Sequence, residues 1–194
     1  MPEKIDILIK NGNVINPCDK SISHKDIAIR DGYIVDFNPE ENYDIKDEID
    51  ATGYYVGPGW VDSHVHIFKE GTEPGFDADL NLIPMGITSA IDGGSSGVGN
   101  WALFKRTVVD NSYLNIFYSV NVSTSGQITE SYPENVDPEH FDEEGIRRIF
   151  QADPDHARGL KLRCGAEVVE PFGASVLDKT IGLAENLHCS ITLH

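Results

Sequence analysis

From Val61 onward, short runs rich in β-branched and aromatic residues alternate with stretches long enough for a helix, and this alternation restricts the fold more than any other feature. The strand-like runs are "VDSHVHIF", "ITSAIDGG", "LNIFYSVNVS", "RGLKLRC" and "CSITLH". Helical patterns fall near Trp101 to Val109, Glu139 to Ala152 and Ala174 to Leu187. Strands separated by helices of about ten residues or more build βαβ units on a parallel sheet. Five such strands fit half or more of a barrel, or an open doubly wound sheet. No G-x-G-x-x-G or P-loop pattern follows any of them, so a phosphate-cradling loop is not indicated. The glycine-rich "DGGSSGVGN" from Asp92 reads as a βα loop that needs tight backbone turns.

The N-terminal part has another rhythm. "IDILIK", "NVIN", "DIAIR" and "YIVDF" are short strands punctuated by Asn11-Gly12 and Asp31-Gly32, the dipeptides that supply two positive-φ residues to a hairpin turn. They predict a small antiparallel β unit, followed by a polar, acidic connector, "NPEENYDIKDEID". Two domains are expected, residues 1–56 and 57–194.

The formal net charge is −17, from 15 Lys and Arg against 32 Asp and Glu, and such a surface repels phosphate backbones and anionic lipids. Nucleic acid and membrane partners are therefore not expected. Cys18, Cys164 and Cys189 form neither a C-x-x-C pair nor an even set, which argues against a disulfide framework and a cysteine zinc site. With no signal-peptide pattern and no apolar run of about 20 residues, a cytoplasmic protein is expected.

In an extended strand, side chains two apart share a face, so Asp62, His64 and His66 point one way while Val61, Ser63, Val65 and Ile67 point the other. Two imidazoles so placed can reach one metal ion, and zinc takes nitrogen ligands at about 2.0–2.1 Å. A hydrogen-bonded core pair or a surface pair gives the same spacing, so H-x-H alone leaves both readings open. Position adds weight, because parallel α/β folds gather their sites at the C-terminal ends of strands. In "RGLKLRCG", Lys161 and Arg163 alternate with Leu160 and Leu162 along a central strand. Burying an ammonium costs several kcal/mol, so Lys161 either pairs with a carboxylate such as Asp92 or is chemically converted. His194 closes "CSITLH" on the face of Thr192. The remaining histidines, His24, His140, His156 and His188, fall in predicted loops or helices without a partner pattern and read as structural or solvent-facing.

Together, the β-hairpin unit, "PGWVDSHVH", a D-G-G strand end, "GLKLR" and a strand ending in histidine resemble the amidohydrolase superfamily of metal-dependent hydrolases. The deacetylase-like branch is most similar, around "HVHIF", "GITSAIDGGSSGVGNW", "YSVNVSTSG", "GLKLR" and "ITLH". The resemblance runs over essentially the whole chain. It implies an α/β fold, a partial (β/α)8 TIM-type barrel of about the first five strands with the N-terminal part of a small β-sandwich. It also implies His64 and His66 on the more buried of two zinc ions, Lys161 carboxylated to a carbamate bridging both, and His194 on the second. Carboxylation would turn a costly buried cation into an anionic oxygen ligand.

Arg163 matches an arginine of the same branch and is a candidate for contacting substrate or a neighbouring carboxylate. Asp92 is a candidate for supporting the site or touching it directly. The implied reaction is hydrolysis of an amide or ester bond in a small molecule, an N- or O-acetyl group being the expected target, by metal-activated water. Dihydroorotases usually carry an arginine two residues after the second histidine; Phe68 stands there, which places a cyclic-amide hydrolase behind the deacetylase-like reading. A non-catalytic amidohydrolase-like scaffold or assembly subunit is the alternative from another class.

A complete barrel takes about 250 residues, and this chain of 194 ends on a residue implied as a ligand. The expectation is an N-terminal fragment or truncated product, inert alone or completed by another chain. The general-base aspartate and a further metal-binding histidine are expected beyond residue 194, and the complete enzyme is expected to be a homo-oligomer.

Overall fold

The structure, a computed structural model, describes residues 2–194. It divides into two units, one running to Pro58 and the other spanning Gly59–His194.

In the first unit, β1 (Glu3–Asn16), β2 (Ser21–Arg30), β3 (Tyr33–Val35) and β4 (Tyr43–Asp50) lie in the order β3-β2-β1-β4, and β5 (Tyr55–Val56) also pairs with β1. The β1–β2 and β2–β3 pairs are antiparallel, but β4 and β5 run parallel to β1, so the sheet is mixed rather than antiparallel throughout. The cause lies in the acidic stretch expected to be a connector. Ile45 pairs with Ile5, and Tyr43 and Ile45 pack on the buried Ile5, Leu8 and Ala28. Alternate apolar residues suffice to make a strand there, with the charges facing outward.

Asp31-Gly32 turns the β2–β3 hairpin as expected, both residues at positive φ (51° and 80°). Asn11-Gly12 does not turn the chain. β1 continues through it, with Asn11 alone at φ 60° and the register against β2 slipping between Ile9 and Gly12. The left-handed residue is absorbed as a β-bulge, and Asp26 Oδ1 accepts the Asn11 N–H at 2.9 Å.

The second unit is built on β6 (Trp60–Val65), β7 (Ile87–Asp92), β8 (Asn115–Asn121), β9 (Ala157–Leu162) and β10 (Ser190–Leu193). These strands are all parallel and lie side by side in chain order. With the intervening helices they form a partial (β/α)8 TIM-type barrel, and the first unit supplies part of a β-sandwich. The helices are α1 (Ala78–Leu82), α2 (Trp101–Phe104, continuing as a π-helical turn Lys105–Val109), α3 (Glu143–Ala152), α4 (Ala166–Val169) and α5 (Ser175–Leu187). The three long helical patterns of the sequence correspond to α2 with its π turn, α3 and α5. At five and four residues, α1 and α4 are too short to leave a periodic signal.

Outward side chains of the central strands, among them Ile116, Tyr118, Leu160 and Leu162, are buried in one cluster with Phe104, Ile146, Ile149, Val176 and Leu183 from the helices. Each such aliphatic side chain contributes roughly 1.5–3 kcal/mol on burial. α3 begins at Asp142, whose side chain accepts the Gly145 N–H at 2.8 Å and so caps the helix while Ile146 and Ile149 face the core. Because the five strands are parallel, their C-terminal ends lie along one edge of the sheet, and the polar side chains singled out in the sequence are at those ends.

Candidate active site

β6 ends at Val65, so His64 is on the strand and His66 just beyond it. Register irregularities against β7 between Trp60 and Val65 interrupt strict alternation, yet the two rings still face one another edge to face, centroids 5.5 Å apart. From β9, Lys161 is fully buried between its ladder partners Asn121 on β8 and Thr192 on β10. Its Nζ lies 3.4 Å from His64 Nε2 and 3.4 Å from His194 Nδ1. His194 continues the β10 ladder, donating its N–H to Leu162 O, and its ring is 5.7 Å from that of His64. The structure thus brings His64, His66, Lys161 and His194 together from three strand ends.

Close backbone approach makes this convergence possible. A Cβ at Gly93 would lie 2.5 Å from His64 Nε2. A Cβ at Gly94, which has φ +88°, would lie 2.3 Å from Lys161 Cβ. The "DGG" at the end of β7 is therefore clearance for the imidazole and the lysine stem.

Lys161 has no carboxylate within ion-pairing distance among the described residues, and burial lowers its pKa despite the charges of Glu134, Asp92 and Glu130 nearby. Desolvation followed by the Lys161 charge also depresses both histidines, His66 to about 4. At neutral pH these are lone-pair donors, the form that binds metal.

Among the described residues no group of three or more His, Cys, Asp or Glu is drawn tightly enough to hold an ion. Two imidazoles, those of His64 and His194, flank the Lys161 amine at 3.4 Å, and the His66 ring stands beside that of His64. The donor set fits a divalent metal on condition that this amine becomes an oxygen ligand. A neutral amine is the form that reacts with carbon dioxide, and burial favours that form here.

Asp92 is not the partner of Lys161. Its fully buried carboxylate is taken up by the N–H groups of Ile67 (3.0 Å), Gly94 (3.0 Å) and Ser95 (2.7 Å) and by the Ser95 hydroxyl (2.8 Å). Burial raises its pKa against the pull of those donors. Ser95 Oγ in turn lies 2.9 Å from His66 Nδ1. Asn121, also fully buried, donates its Nδ2–H to Gly94 O and accepts the Ser123 N–H, tying the β7 and β8 loops together.

Arg163 meets carboxylates. Nη1 is 3.1 Å from Glu134 Oε2 and 4.0 Å from Glu130 Oε2, and Nη2 is 3.9 Å from Glu167. Of the two partners considered for it, the structure supplies the neighbouring carboxylate. Phe68 is 1% exposed and packs on Phe104, so its side chain belongs to the hydrophobic core. Of the other histidines, His24, His140 and His188 are exposed, with His24 on β2 rather than a loop. His156 has a partner that its sequence context did not announce, Asp153 Oδ1 at 2.6 Å. Ser95 and Glu134 also escaped the sequence reading, since a loop serine and a loop glutamate carry no periodicity that marks them.

No family model matches the chain. It is 28% identical over 147 residues to a deacetylase of Agrobacterium fabrum, covering 75% of this chain and 36% of that protein. It is 34% identical over 89 residues to an adenine deaminase of Halalkalibacterium halodurans, covering 46% of this chain and 15% of that protein. A crystal structure of a dihydroorotase superposes with a TM-score of 0.85 at 25% identity, over 97% of this chain and 50% of that one. The chain thus spans half the length, or less, of the proteins it matches here.

Proposed function

Since the chain is a member of the amidohydrolase superfamily, we propose that it carries the first part of a metal-dependent hydrolase site and acts, within the whole protein, on an acetyl amide or ester of a small molecule. His64, His66, a carboxylated Lys161 and His194 would hold two zinc-like ions. The observation that carries this reading is Lys161 Nζ, buried with no carboxylate within ion-pairing distance among the described residues and 3.4 Å from both His64 Nε2 and His194 Nδ1. Bound metal supplies Lewis acidity toward a carbonyl and lowers the pKa of water to near neutrality.

The protein's own groups prepare that chemistry. The unprotonated Lys161 nitrogen forms a bond to the carbon of carbon dioxide and gives up a proton to solvent, leaving a carbamate anion where an ammonium would be expensive. His64 and His66, their pKa values lowered by partial desolvation and then by the Lys161 charge, offer lone pairs at neutral pH without first losing protons. Arg163 is engaged by Glu134, so it orders the loop after β8 rather than standing free for an anion.

Zinc titration in the presence of bicarbonate tests the reading. Saturable uptake is expected, with a mass gain of one carbon dioxide on Lys161, and both are lost in Lys161→Ala. Wild-type protein that takes up no zinc overturns it. For the whole protein, acetate release from N- or O-acetyl substrates supports the deacetylase reading, and ammonia release from an aminopurine instead moves the assignment to the deaminase relatives.

A further inference from the structure

We propose that Ser95 is a positioning residue that fixes the tautomer of His66, keeping the proton on Nδ1 and leaving Nε2 as the ring nitrogen open to a ligand. A serine hydroxyl has one proton. The three backbone N–H groups of Ile67, Gly94 and Ser95 already make both Asp92 oxygens acceptors, at 2.7–3.0 Å. The Ser95 hydroxyl adds its own proton to Asp92 Oδ2 at 2.8 Å. Having spent that proton, Ser95 Oγ can only accept from His66 Nδ1, 2.9 Å away. The hydrogen bond at one ring nitrogen decides what the other presents. A buried carboxylate therefore reaches the imidazole through one hydroxyl, and Asp92, Ser95 and His66 form a directed chain that begins at the end of β7 and ends beside β6.

Ser95 and Asp92 are fully buried and His66 is partly so, which keeps water from competing for these bonds. No spacing rule places Ser95 opposite His66; 29 residues separate them. The metal-centre reading gives the tautomer its purpose, but the tautomer itself can be read without metal.

The test is a long-range proton–nitrogen correlation spectrum of histidine-labelled, metal-free protein at neutral pH, with the His66 signals assigned by their loss in His66→Gln. The expected wild-type pattern is a protonated Nδ1 and an unprotonated Nε2. In Ser95→Ala the Nε2–H tautomer gains population, and zinc binding weakens by about 10–100-fold, the usual cost of removing the support of a ligand. Ser95→Thr, which keeps the hydroxyl, retains the wild-type pattern. Nε2–H in the wild type overturns the proposal whether or not any variant folds, and so does a tautomer unchanged in a folded Ser95→Ala. Wild-type protein with the expected tautomer but no zinc uptake upholds the role of Ser95 while removing the metal reading, so the two fail separately.

Discussion

A methyl group at Gly93 would have to share space with His64 Nε2, 2.5 Å from its ideal position. The ring is the end of a side chain and can swing, but only by leaving the neighbourhood of Lys161 Nζ. Gly93→Ala is therefore expected to fold with near wild-type thermal stability while losing about 10–100-fold in zinc affinity, measured by calorimetric titration beside a melting curve. Equal zinc affinity in the variant would show that His64 does not need this clearance. At this scale the sequence was informative where chemistry follows a period. Strand periodicity put His64 and His66 on one face and His194 at a strand end, but it left their role open; only the resemblance to the amidohydrolase superfamily joined them with Lys161 in one set. Ser95 and Glu134 were not legible, because their partners lie on other elements and depend on how the strands associate; the Asp153–His156 pair, three residues apart in one loop, is local but follows no periodic pattern.

The elements of the second unit are joined by more than apolar contact. The Tyr118 hydroxyl on β8 donates to Asp153 Oδ2 at the end of α3 and accepts the Trp101 Nε1–H of α2, both at 2.8 Å. Lys105 Nζ and His156 Nδ1 complete the shell of Asp153, at 3.3 and 2.6 Å. Burial, and then the bond to Asp153, raises the Tyr118 pKa above the ordinary phenol value. The stability that this represents is whole below about pH 10, the pKa of an unfolded tyrosine, and is lost as pH climbs beyond it. Asp153 goes the opposite way. Hydrogen bonds from His156 and Tyr118 outweigh its desolvation and lower its pKa, so its contribution is present above the ordinary carboxylate range and lost in acid. Tyr118→Phe is expected to cost about 1–3 kcal/mol in urea unfolding at neutral pH, because Trp101 Nε1 and Asp153 Oδ2 each lose a partner. The loss should shrink above about pH 10, where the tyrosine ionises in the unfolded chain while Tyr118 in the folded wild type stays protonated, so the wild type's advantage falls with rising pH; a penalty constant up to strongly alkaline pH would contradict the account. None of this network was visible as a motif. The helix and strand succession was, because alternation between periods of about 2 and 3.6 residues survives in a single sequence. It failed in the first unit for a definite reason. Asn11-Gly12 satisfies the backbone of a bulge as well as that of a turn, and β4 half-buries only Tyr43 and Ile45 within an acidic stretch.

Over the whole molecule the excess of acid dominates: 32 acidic residues against 15 basic ones on a chain of 194. Such a charge repels itself, and the compact state concentrates the repulsion. It also draws divalent cations to the surface wherever two carboxylates are close, so zinc uptake by this protein must be separated from simple condensation on an anionic surface. Salt makes the separation. Between about 10 mM and 150 mM ionic strength the screening length falls from roughly 30 Å to roughly 8 Å, which weakens long-range repulsion and surface attraction while leaving a buried cluster largely unscreened. The melting temperature is therefore expected to rise over that range at mildly alkaline pH. Zinc held through Lys161 should persist at the higher salt, and zinc held by the surface should wash away. Uptake that vanishes with salt and is indifferent to Lys161→Ala would assign the metal to the acidic surface. Uptake that survives salt and needs Lys161 places it at the strand ends, where the Lys161 amine lies 3.4 Å from both His64 and His194.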